Sequence, residues 1–205
     1  QNEVQKQERK KQNQQRQQSF KNKDDSTYNS GNNVLLSQTI LDQERTKLEY
    51  QQLHNTLEYT KMEAIRKALP IHAIRETLLE KLKTNQVVVV SGGTGSGKST
   101  QCPQYILEDA IANHRGGATK IIVTQPRRIA AIGVSDRVAN ERYNDNSVGY
   151  TVRFSSKKPR KEHDGYGSIE FVTAGILLRR LMSGGSDDDR LLKDISHVII
   201  DEVHE

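Results

Sequence analysis

The run "QVVVV" (residues 86–90) passes straight into "SGGTGSGKST" (91–100), and no other stretch limits so tightly what this chain can fold into. Four consecutive β-branched residues without polar alternation predict a strand buried on both faces. Gly92, Gly93, Gly95 and Gly97 then allow the backbone to bend where a side chain would clash, and a helix-forming stretch begins at Lys98. Gly92, Gly97, Lys98 and Ser99 satisfy the pattern G-x-x-x-x-G-K-[ST]. In that arrangement successive backbone N–H groups point inward around phosphate oxygens, and the helix adds its positive end. The cradle spans Gly92, Gly93, Thr94, Gly95, Ser96, Gly97, Lys98, Ser99 and Thr100. Lys98 is placed for the β- and γ-phosphates and the Ser99 hydroxyl for Mg²⁺. A chance glycine-rich turn has no reason to sit between an apolar strand and a helix.

The remainder alternates in the same manner. A helix is expected from about Lys98 to Asn113, then a strand in "TKIIVTQ". The next helix is "RRIAAIGVSDRVANERY", with Ile129, Ile132, Val138 and nearby alanines on its apolar side. "VGYTVRF" and "SIEFVTA" read as strands, "AGILLRRLM" as a short helix and "HVIID" as a final strand, an interior one if more strands follow and otherwise an open apolar edge. Strands alternating with helices predict an α/β fold with a parallel sheet covered on both faces. Ligands of such sheets sit at the carboxyl ends of the strands. The glycine loop lies at one such end and Asp201 at another. In P-loop NTPases an acid so placed holds Mg²⁺, so Asp201 is the candidate metal acid. Glu202, beside it, is the candidate for orienting or activating the attacking water. A rival zinc site made of His197, His204 and the acids matches no zinc-ligand spacing.

Composition separates the ends from this core. Hydrophobic residues make up only 33% of the chain, and the deficit is local. Residues 1–33 are rich in Gln, Asn, Lys and Arg, with Val4 and Phe20 almost the only apolar bulk, so they are expected to be disordered. They hold seven Lys/Arg and four Asp/Glu, a net of +3, which leaves +2 of the total +5 for the rest. Basicity alone therefore does not argue for nucleic-acid binding. Residues 34–70 read as a helical extension, with Leu41, Leu48, Leu57, Ile65 and Leu69 near one stripe expected to pack on the domain. Pro70 ends that pattern, and a second helix carries Ile71, Ile74, Leu78 and Leu82. One cysteine, Cys102, rules out a disulfide framework and suits the cytoplasm or nucleus; it reads as a small buried residue. No apolar run approaches membrane-spanning length.

With both motifs placed, the chain from about Leu69 to Glu205 resembles the first RecA-like domain of a superfamily 2 helicase, of the DEAH/RNA helicase A group. "GGTGSGKST" resembles that group's motif I, with Gly93 where an acid is usual; "TQPRRIAA" resembles motif Ia, "TAGILLRRL" motif Ib and "DEVH" motif II. "VGYTVRF" resembles a stretch the group carries between Ia and Ib, and "ALPIHAIRETLLEKL" its lead-in helix. No aromatic-plus-glutamine adenine-reading motif precedes the loop, which implies tolerance of the nucleotide base. The resemblance implies ATP, or another NTP, with Mg²⁺ as cofactors. It also implies a single-stranded RNA, or a structured RNA with a single-stranded tail, as the partner. A chain ending at motif II would be C-terminally incomplete over 71–205, with a second RecA-like domain as its further partner.

The same resemblance assigns roles. Lys98 and the loop amides bind phosphates; Ser99, Asp201 and Glu202 organise Mg²⁺; His204 communicates with the second domain. Arg137 matches an arginine that stacks on the base, although by residues alone it is a solvated helix arginine. Arg127 and Arg128 open a helix after a strand, where guanidinium and helix-end amides converge on a phosphate backbone. The alternative for Arg127 is a structural ion pair. Thr173 is the motif Ib counterpart. Contacts of this kind read phosphates and not bases. "KKPRK" (157–161) is a solvated charge run, an import patch or an RNA-contacting loop, and "SGGSDDD" (183–189) a polar loop. Two other functions fit the motifs: a nucleic-acid-dependent ATPase acting on DNA, and a non-unwinding RNA-binding scaffold of the same fold.

Overall fold

The computed structural model describes residues 41, 44–45, 47–48, 51–52, 55–159, 167–182 and 194–204. The expectations for residues 1–33, for Arg160 and Lys161 of the basic run and for "SGGSDDD" lie outside the described residues.

Helix α1 (Leu57–Lys67) is capped by Thr56, whose hydroxyl accepts from the Tyr59 amide. A 3₁₀ turn (Pro70–Ile74) and helix α2 (Arg75–Thr84) follow. Helix α3 (Lys98–Ala112) leads to strand β1 (Lys120–Gln125), helix α4 (Arg128–Glu141) and the hairpin of β2 (Val148–Val152) and β3 (Ser155–Lys157). Strand β4 (Ser168–Thr173), helix α5 (Ala174–Met182) and strand β5 (His197–Ile200) complete the described elements.

The sheet order is β3-β2-β4-β1-β5. All pairings are parallel except the antiparallel β2–β3 hairpin. Because strand side chains alternate, β1 feeds two cores. Ile121 and Val123 join Ile169 and Phe171 of β4 beneath Leu107, Ile111, Ala131 and Val138 of α3 and α4. Ile122 and Val172 pack on the other face with Leu177 of α5. Helices thus cover both faces of a mostly parallel sheet, the RecA-like α/β arrangement the sequence implies. In register, Gln125 of β1 pairs with Thr173 of β4, and Asp201 follows the end of β5. These carboxyl ends carry the candidate site.

Three expectations require correction. Residues 87–90 form no strand, and they are not buried on both faces. Val88 and Val90 pack on the cluster of Ile71, Leu78, Leu79, Cys102 and Tyr105, while Val87 and Val89 are 80% and 88% exposed. The segment has no ladder partner in the described sheet, so one face is all it buries. Strand β5, by contrast, lies as expected at an open edge of the described sheet, with its apolar Val198 and Ile200 facing outward. The stripe Leu41, Leu48, Leu57 and Ile65 is exposed; α1 instead turns Tyr59 and Arg66 inward, seven residues apart on one helix face. Finally, Ile129 is exposed, because it lies about 200° around α4 from Ala131, which is buried with Ser135, Val138 and Ala139.

Candidate nucleotide and nucleic-acid site

The glycine loop is shaped by residues on both sides of it. Gly95 and Gly97 adopt φ of 78° and 96°, left-handed values that a side chain would resist. A Cβ on Gly97 would also meet Ile71 and Leu69 at 3.0 Å, so the 3₁₀ turn packs directly on the loop. The Ile71 amide donates to the Ser96 carbonyl at 3.1 Å and fixes that contact. Gly97 is the N-cap of α3, which aims the helix's positive end into the loop. The Lys98 ammonium donates to the carbonyls of Gly92 and Gly93 at 2.7 and 2.9 Å, so it lies along the loop. Ser99 follows in the first turn of α3, half-buried, and the Thr100 hydroxyl donates to the Gly97 carbonyl at 3.2 Å.

The Gln125 amide donates to Asp201 Oδ2 at 2.5 Å, and the Glu202 N–H donates to Oδ1 at 3.1 Å. The carboxylate is therefore oriented from β1 and from its own turn. Cys102 is buried in α3, four residues after Lys98. Its thiol pKa is pushed up to about 11, chiefly by burial and further by the negative charge of Asp201, against the opposing pull of Lys98. Glu202 has φ 51°, left-handed for a residue with a side chain, and its carboxylate lies 3.4 Å from His204 Nδ1; both side chains are largely exposed.

Arg127 and Arg128 occupy the carboxyl side of β1, Arg127 as the N-cap residue of α4, and both are exposed. Arg128 lies 6.0 Å from the Phe154 ring centroid and Arg153 4.7 Å from it. Phe154 is 85% exposed at the hairpin tip, with φ 70°. Arg137 extends from α4 with its side chain 60% exposed, its Nε donating to Glu141 Oε1 at 2.7 Å.

The structure therefore brings Lys98, Asp201, Gln125 and Thr173 to the strand-end side of the sheet, beside Arg127. Glu202 and His204 stand together at its outer, exposed margin. Sequence reasoning missed Gln125, Arg153, Phe154 and Glu141. Gln125 stands inside "TQPRR" and Phe154 closes "VGYTVRF", so both lay within stretches already singled out.

Ser99 and Asp201 supply a hydroxyl and a carboxylate, the hard oxygen donors that Mg²⁺ takes beside phosphates. Among the described residues, no group of three or more His, Cys, Asp and Glu side chains could hold a metal by itself. No helix of the described residues is long and apolar enough to cross a membrane.

Comparison with known proteins agrees with this geometry. Residues 72–205 match the DEAD/DEAH box helicase family. The chain is 48% identical over 161 residues to the DExH-box ATP-dependent RNA helicase DExH3 of Arabidopsis thaliana, a match covering 78% of this chain and 13% of that protein. It is 42% identical over 161 residues to the ATP-dependent DNA/RNA helicase DHX36 of Homo sapiens, covering 77% and 15%. To the Arabidopsis DExH-box ATP-dependent RNA helicase DExH1 it is 44% identical over 146 residues, covering 70% and 14%. The chain thus spans about a seventh of the length of these relatives.

Proposed function

The chain belongs to the DEAD/DEAH box helicase family, and from that premise we propose that it is the ATP-binding half of an RNA helicase. Such an enzyme couples NTP hydrolysis to translocation on RNA or to its remodelling. The observation that carries this reading is the glycine loop, with Gly95 and Gly97 at left-handed φ ahead of α3, together with the Asp201 carboxylate that Gln125 orients at the strand ends. That acid is hydrogen-bonded to the last residue of β1, and the exposed Arg127 and Arg128 follow two and three residues later.

In this reading residues 71–205 are the nucleotide domain and 34–70 a helical extension. Loop amides from Gly92 to Thr100 and the Lys98 ammonium bind the triphosphate, and Ser99 and Asp201 would hold Mg²⁺. Bound there, Mg²⁺ neutralises charge on the transferred phosphate. Asp201 enters that role already oriented by Gln125. Glu202 orients the attacking water and accepts its proton. Arg137 lies against the base without reading its hydrogen-bonding edge, which admits several NTPs. His204, exposed beside Glu202, meets the second RecA-like domain. Arg127, Arg128 and Thr173 hold RNA phosphates, and Phe154 between two arginines offers a base a stacking surface.

The test is steady-state phosphate release by a protein that carries this chain together with a second RecA-like domain. Stimulation by single-stranded RNA is the expected result. RNA binding without stimulated turnover would leave the scaffold function in its place. The human relative is named a DNA/RNA helicase, which favours a second reading in which DNA serves as well. Equal stimulation by single-stranded DNA would establish that reading.

A further inference from the structure

Glu141 closes α4 and is only 2% exposed, yet nothing in the proposed chemistry uses it. A carboxylate taken out of water is retained only if donors surround it. Here Arg137 Nε donates to Oε1 at 2.7 Å, and the side-chain amides of Gln101 and Gln104 both donate to Oε2 at 2.8 Å. Burial works to raise its pKa, but the bonds from Arg137, Gln101 and Gln104 outweigh it and hold the carboxyl below the ordinary glutamate value. Gln101 is itself oriented: its Oε1 accepts from Arg66 Nε at 2.8 Å, which turns its NH₂ toward Glu141. Arg66 also reaches Glu108 at 2.6 Å. It belongs to α1, ahead of the segment that matches the family.

Two of these partners lie on α3, the helix that begins at Lys98, and the third is Arg137. One buried carboxylate therefore ties the phosphate-loop helix to the arginine assigned to the base. Anchoring Arg137 at Nε leaves the rest of an exposed guanidinium open, whereas an unanchored arginine on a helix surface samples many rotamers.

We propose that Glu141 is a positioning residue of the nucleotide site: it fixes Arg137 through Nε so that the guanidinium plane faces the base, and Arg66 keeps the Gln101 amide turned to complete its shell. The inference rests on the reading of Arg137 as the base contact.

The experiment compares two ligands on this chain by calorimetry, Mg·ATP and Mg·tripolyphosphate. The second has the phosphates without the base. Arg137→Ala is expected to weaken ATP about two- to fivefold, the size of an exposed cation–π contact, and to leave tripolyphosphate unchanged. Glu141→Gln keeps the shape but has a single acceptor oxygen; the two amide donors of Gln101 and Gln104 claim it, which turns its NH₂ toward Arg137 Nε, so this variant should show the same selective loss. The double variant should bind no worse than Arg137→Ala alone, because both remove one interaction. If Glu141→Gln does not fold, Glu141→Asp, with the charge drawn back by one carbon, is expected to give the same pattern. ATP affinity unchanged in the Glu141 variant while Arg137→Ala weakens it overturns the inference alone. Equal losses for both ligands also overturn it, since Glu141 would then only hold the helices together. Arg137→Ala without effect on ATP removes the base-contact reading, and the inference falls with it.

Discussion

Replacing Arg66 with alanine should destabilise the chain by about 3–4 kcal/mol, a large share of the roughly 5–15 kcal/mol that holds a domain together. The side chain is 7% exposed; its charge-assisted bonds include those to Gln101 Oε1 at 2.8 Å and to Glu108 at 2.6 Å, and Glu141 Oε2 lies 4.0 Å from its Nε. Bonds to charged groups contribute about 1.5–3 kcal/mol each when the partner is left behind in the interior. Glu108, 13% exposed, keeps some access to water after the guanidinium is gone, so the sum falls below the upper limit. Some of the loss must come from the apolar stem. Arg66→Met retains that stem without the donors and should still cost about 2–3 kcal/mol. Urea unfolding monitored by circular dichroism gives both numbers, provided the slope is unchanged. A cost below about 1 kcal/mol for Arg66→Ala, or full recovery in Arg66→Met, would refute the reasoning.

Stability should also fall with acid in two stages. Burial first, and then the Arg115 charge, lower the pKa of His197 below 6.5, so the unfolded chain binds its proton more readily and stability declines as pH drops through that range. For Glu170, burial is outweighed by bonds from Arg180 and Thr151, and for Glu141 by those from Arg137, Gln101 and Gln104, so both sit below 4.5. Their contribution is complete above 4.5 and is lost as pH falls toward their folded values; unfolding curves at a series of pH values check both stages, and a flat profile from neutrality to acid would contradict them. Separately, Arg127→Ala should weaken RNA of any sequence alike and reduce the slope of log affinity against log salt by about one, measured by fluorescence anisotropy on two unrelated oligonucleotides. A loss confined to one oligonucleotide would count against phosphate contact.

Much of this architecture is legible in the sequence because its causes are local. "TKIIVTQ" and "SIEFVTA" are apolar enough to specify central strands, and they pair residue for residue as β1 and β4. The glycine loop carries its conformational requirement in residue type, and Gly95 and Gly97 take the left-handed angles expected of them. What was not legible depends on partners distant in sequence. Arg66 looks like one more charge beside a leucine stripe, but its acceptors lie 35 and 42 residues away. Gln125 acquires its role from an acid 76 residues further on. An apolar string can also promise too much: "QVVVV" suggests burial on both sides, but burial of the second side needs a neighbour, and the described sheet provides none. The hairpin turn at Phe154 escaped notice because a positive φ there is taken by an aromatic residue and not by a glycine.

The central claim is that the loop from Gly92 to Thr100 and the acid Asp201 form one triphosphate site with Lys98 as its charged contact. Calorimetric titration of the chain with Mg·ATP, wild type against Lys98→Ala, tests it most directly. The ammonium bonds only to the carbonyls of Gly92 and Gly93 among the contacts described, so its removal should leave the melting temperature nearly unchanged. Loss of one or two charge-assisted bonds to phosphate should weaken ATP about 10- to 100-fold. Undiminished ATP affinity in Lys98→Ala would contradict the account.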